Sequence, residues 1–107
     1  MNTETLSEIL VDVRQLLNNI LGPRLRGLYL YGSYARGEAR SDSDIDILIV
    51  VNPPFDYGEL IQLTSETVAD ISLKYDVVIS RAFISEDDLN NSKDLFARNV
   101  RREIVSI

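Results

Sequence analysis

The chain has 107 residues, of which 45% are hydrophobic and 26% charged, and its formal net charge is −6. That length fits one domain, 1–107, with a modest core. The absence of Cys and His excludes disulfides, thiolate or imidazole metal sites, and every catalytic arrangement built on an imidazole.

The acidic balance argues against direct nucleic-acid binding, where neutralisation of phosphates supplies most of the affinity. No apolar run reaches the ~18 residues of a membrane span. The start Met1-Asn2-Thr3-Glu4 carries no leader pattern, so a cytoplasmic protein without membrane association is expected.

In chain order, residues from about 5 to 21 predict a helix. Leu6, Ile9, Leu10, Val13, Leu16, Leu17, Ile20 and Leu21 form its apolar stripe, and Thr5 with Glu8 fits a capping box. Gly22-Pro23 is the stop. Arg24 to Tyr31 reads as a strand buried on both faces, and Ile45 to Val51 as a central strand ended by Asn52-Pro53-Pro54. Asp56 and Glu59 open a second helix running to about Leu73. Tyr75 to Ser80 reads as a third strand, Ser85 starts a further helix, and about Ser92 to Glu103 reads as a last amphipathic helix. The expected class is α/β (α+β), with helices layered on a small sheet.

Two features stand out. Asp44 and Asp46 lie two apart at the head of the second strand, which places both on one face. Paired carboxylates beside a buried run are costly unless a cation or several donors satisfy them. Magnesium suits, because it accepts carboxylates together with substrate phosphate oxygens. Asp76 heads the third strand similarly: it is either a turn residue or, if that strand adjoins the second, a third ligand. A calcium loop starting at Asp42 fails, since Ile47 stands where Gly is needed and Pro53 where the bidentate Glu belongs. The second feature is Gly32-Ser33 directly after a strand. Such a turn is either plain or aims backbone N–H groups and a hydroxyl at an anion, with a following helix adding its positive end. Arg36 and Arg40 could neutralise phosphate or pair with surface acids.

Gly32-Ser33 followed by Asp44-Ile45-Asp46 resembles the signature of nucleotidyltransferases with the polymerase-β-type fold. The strings Gly-Ser-Tyr-Ala-Arg-Gly and Ser-Asp-Ile-Asp are similar to those of the minimal nucleotidyltransferase branch. The resemblance extends to the closing Leu95–Glu103 segment. It implies a single-domain fold with a small mixed sheet and helices packed on one face. It also implies a nucleotide-binding set of Gly32, Ser33, Arg36 and Ser43, and catalytic, metal-holding Asp44, Asp46 and Asp76. Two Mg2+ ions and ATP as substrate follow. Minimal members resembling this one often act as antitoxins. The implied reaction is then transfer of AMP to a hydroxyl, a tyrosine, of a cognate HEPN-type toxin, with a possible hetero-oligomer. The chain is too short for an acceptor-gripping second domain, so a partner is expected to present the acceptor. Neutralisation by binding alone, and transfer to a small molecule such as an aminoglycoside, are the alternatives.

Overall fold

The structure, a computed structural model, describes residues 1–107. Helix α1 spans Thr3–Leu21, and a short 3-10 turn over Gly22–Arg24 leads into β1, Leu25–Tyr31. Then come α2 (Gly32–Arg36), β2 (Ile45–Val51), α3 (Tyr57–Tyr75), β3 (Ile79–Ile84), α4 (Glu86–Asn91), α5 (Leu95–Glu103) and β4 (Val105–Ser106).

The helix boundaries follow from their caps. Asn2 Oδ1 accepts the Thr5 N–H at 2.8 Å, so α1 begins before the anticipated box and Thr5 contributes its amide rather than its hydroxyl. Asp56 Oδ1 accepts the Glu59 N–H at 3.0 Å, as its position foretold. Ser85 Oγ and Asp94 Oδ1 accept the Asp88 and Ala97 N–H groups and start α4 and α5.

The sheet has the order β3-β2-β1-β4. β1 runs antiparallel to β2 and β4, while β2 and β3 are parallel. Tyr31, Asp46 and Ser80 therefore form one row across the sheet, and Leu30, Ile47 and Arg81 the next. Opposite partners share a face. On one face Leu28, Leu30, Ile45, Ile47, Ile49 and Val51 pack against α1 and α3 in the main core. This is the expected helical layer. On the other, Leu48, Val50 and Ile84 pack with Leu89 of α4 and Ala97 and Val100 of α5, with Tyr29 and Tyr31 against them. The second face is thus covered by α4 and α5, and Asp46 stands half-buried on it.

The third strand lies later than expected. Helix α3 continues through Tyr75, and Asp76 caps it in the left-handed conformation at φ 53°. No Gly follows the helix, and a short polar side chain is among the few that tolerate this conformation. The strand starts at Ile79 and gains Arg81, Ala82, Phe83 and Ile84.

Candidate active site

The bend between β1 and α2 packs against the second aspartate. Gly32 has φ 75°, and a Cβ built there would overlap the Asp46 carboxylate. Conformation and space both require Gly. The half-buried Asp46 side chain accepts no hydrogen bond from the chain. Burial first, then the charges of Asp44 and Glu103, push its pKa above the usual carboxylate range, against the pull of Arg36. Asp44, just ahead of β2, is exposed. A half-buried, donor-less carboxylate beside a second one fits a divalent cation whose remaining ligands come from phosphate and water.

Around the bend, Ser33 is half-buried and its hydroxyl makes no hydrogen bond within the chain. Helix α2 has five residues, so the expected contribution of a helix dipole is small, because few peptide dipoles add. Arg36 is exposed and paired with Glu38 at 3.2 Å and Glu103 at 2.9 Å. Ser43 closes a turn: its Oγ accepts the Arg40 N–H at 2.8 Å. That contact gives it a structural task, and it lines a cleft with Tyr34 of α2, Asp42 and Asp76. Arg40 is exposed and forms no ion pair.

Asp76 caps α3 and does not stand on the strand row of Asp46. In the parallel β2–β3 register Asp46 lies beside Ser80, and the Ile45 N–H donates to Val78 O at 2.9 Å. The strand row that would present a third carboxylate to Asp46 therefore carries a hydroxyl. Asp76, exposed at the end of α3, lines the cleft with Asp42 and Ser43. No group of three or more acidic side chains is placed to hold a metal ion. The cause is the helix cap, which takes up the residue that the alternation of the sequence assigns to a strand.

Residues 6–103 match the family described as nucleotidyltransferase domain. The chain belongs to that family. Its architecture is that of the minimal nucleotidyltransferases with the polymerase-β-like fold. The protein adenylyltransferase MntA of Thermococcus cleftensis is 30% identical over 107 residues, 100% of this chain and 97% of that protein. An inferred protein adenylyltransferase of Methanocaldococcus jannaschii is 44% identical over 82 residues, 75% of each chain. Among solved structures, a toxin–antitoxin complex crystallised with AMP-PNP superposes with a TM-score of 0.65 at 21% identity, over 90% of this chain and 69% of that one.

Two further residues of this nucleotidyltransferase meet at the bend. Glu103, at the end of α5, accepts the Gly32 N–H on Oε1 at 3.1 Å and the Arg36 guanidinium on Oε2 at 2.9 Å. Tyr31, opposite Asp46 on β1, is held edge-on by Phe96, with ring centroids 5.8 Å apart. Burial, then Asp46, Tyr57 and Glu103, push its phenol up to about 12, so it stays neutral. Tyr31 was legible as a strand residue, but nothing in the sequence marks its row partner. Glu103 reads as one charge in a basic helix and carries no local signal at all.

Proposed function

We propose that the chain is a magnesium-dependent nucleotidyltransferase antitoxin that moves AMP from ATP to a hydroxyl, a tyrosine, of a HEPN-type toxin. The observation that carries this reading is the packing of the Asp46 carboxylate directly against the Gly32 bend. A triphosphate on that bend lies beside the carboxylates that would hold its cation. Asp44 and Asp46 would hold Mg2+, which supplies charge neutralisation to the reacting phosphate. Gly32 and Ser33 orient the phosphate chain, and Arg36 offsets its charge. The acceptor hydroxyl gives up its proton to solvent and attacks the α-phosphorus, the bond to the β-phosphate oxygen breaks, and pyrophosphate leaves. Positioning and electrostatics carry the reaction, as a chain without His requires. A second Mg2+ would need Asp76 or another acid to move toward the pair.

The relative named as a protein adenylyltransferase across its full length supports a protein acceptor. The solved toxin–antitoxin complex supports a toxin as that protein. Incubation with α-labelled ATP, Mg2+ and the neighbouring gene's product should label that product. The Asp44→Asn/Asp46→Asn variant should lose the label and the neutralisation together. Neutralisation that survives without label favours the second reading, an antitoxin acting by contact. The exposed Leu95, Phe96, Arg98 and Arg102 of α5 give that reading its surface.

A further inference from the structure

We propose that Glu103 is an internal occupant of the phosphate site, a carboxylate that a triphosphate must displace before the bend can hold it. The inference rests on the nucleotidyl-transfer reading of that site. The two donors that Glu103 takes, the Gly32 N–H and the Arg36 guanidinium, are among the groups that reading places on phosphate, with Ser33 the third.

The backbone puts Glu103 there. β4 pairs with β1 so that Val105 stands opposite Leu30 and Ser106 opposite Tyr29. Continuing that register by two residues sets Glu103 opposite Gly32. Its side chain is 19% exposed, against 44% for Arg36. Helix stability does not explain it. Glu103 is the last residue of α5, where a negative charge opposes the helix dipole. Charge pairing with Arg36 accounts for one oxygen of Glu103 but not for the one on the Gly32 amide, and Glu103 acts unfavourably on Asp46. What remains is its fit to the bend: two carboxylate oxygens on one amide and one guanidinium, as two phosphate oxygens would sit.

The contact is displaceable. Arg36 divides its donors between Glu103 and Glu38, and partly exposed ion pairs of this kind are weak. A magnesium-bound polyphosphate brings more charge than one carboxylate, and Ser33 Oγ is free to join it. Displacement would release the end of α5 from α2, so the last helix and β4 would respond to nucleotide occupancy.

The test uses the full chain and inorganic pyrophosphate with Mg2+, measured by calorimetry. Freeing the two donors in Glu103→Gln should tighten pyrophosphate by about tenfold, the gain when a site occupied most of the time is vacated. Glu103→Asp, which keeps the charge, should stay within about twofold. A structural role alone predicts weaker or unchanged binding in Glu103→Gln, and either result overturns the proposal. Should that variant fail to fold, NMR of the wild type decides. Saturating pyrophosphate must shift both the Gly32 amide and the Glu103 carboxyl carbon, and a stationary Glu103 signal overturns the proposal. Tighter pyrophosphate in Glu103→Gln with no AMP transfer to the toxin would retire the antitoxin reading and leave Glu103 as assigned. Transfer with unchanged pyrophosphate affinity would do the reverse.

Discussion

Asp46 is a residue whose placement costs the unliganded fold something. Its carboxylate is half-buried, flanked by Asp44 and Glu103, and given no donor. Replacing it with Asn removes the charge and keeps the shape, so Asp46→Asn should melt a few degrees higher than wild type without metal, while transfer falls by about 10²-fold or more. The pH dependence follows from the direction of the shift. The folded pKa lies above the ordinary 3.8, so the fold binds this proton more tightly than the unfolded chain does. Stability is therefore lost as pH rises from about 3.8 through the raised value. Melting curves across that range should show a component of falling stability that disappears in Asp46→Asn. Gly32 behaves oppositely. An Ala there must take a left-handed conformation and push on Asp46, so Gly32→Ala should destabilise by more than about 2 kcal/mol in chemical unfolding.

At the scale of elements, three side chains fix the geometry around the site. Arg81 of β3 donates to Thr64 Oγ1 at 2.7 Å, Ile61 O at 2.9 Å and Ser65 Oγ at 3.1 Å, tying the strand to α3. Thr64 is fully buried, so Arg81→Leu should lower stability by about 1–3 kcal/mol, read from the urea midpoint. Arg101 of α5 donates to Leu89 O at 2.6 Å and Ser92 O at 2.7 Å, fastening α5 to α4 and to the turn between them. Asp76 ends α3 in a conformation that Gly adopts without strain. Asp76→Gly should therefore match or exceed wild-type stability in thermal melts and leave AMP transfer within about twofold. A loss of transfer as deep as that of Asp46→Asn would instead restore Asp76 to the metal site. The same cap explains why the third strand begins later than the alternation over Tyr75–Ser80 predicts: α3 runs through Tyr75, and the strand covers Ile79–Ile84.

For the whole molecule, a net charge of −6 and a site of clustered carboxylates make cation binding a stability term. An ion that binds the folded chain alone raises its melting temperature by mass action. Millimolar Mg2+ should raise the melting temperature by several degrees at fixed ionic strength, and the rise should vanish in Asp44→Asn/Asp46→Asn. An equal rise in both proteins would mean general screening of surface charge rather than a site. The sheet order explains how so short a chain assembles the site. The site-bearing strands β1 and β2 are central, so their ends are positioned by neighbours on both sides.

The sequence by itself determined the apolar stripes of the long helices, the caps at Asp56 and Ser85, the central strand Ile45–Val51, the Gly32 bend and the spacing of the aspartate pair. Each of these depends on contacts within one turn or one strand, where period and cap chemistry act. It also determined the family, because the bend and the pair keep a fixed spacing along the chain. Tertiary structure alone decided the rest: that Asp76 caps a helix, that Ser80 rather than an acid stands beside Asp46, and that the Glu103 carboxylate reaches the Gly32 amide. These are consequences of strand register between distant segments, and register is set by how whole faces pack.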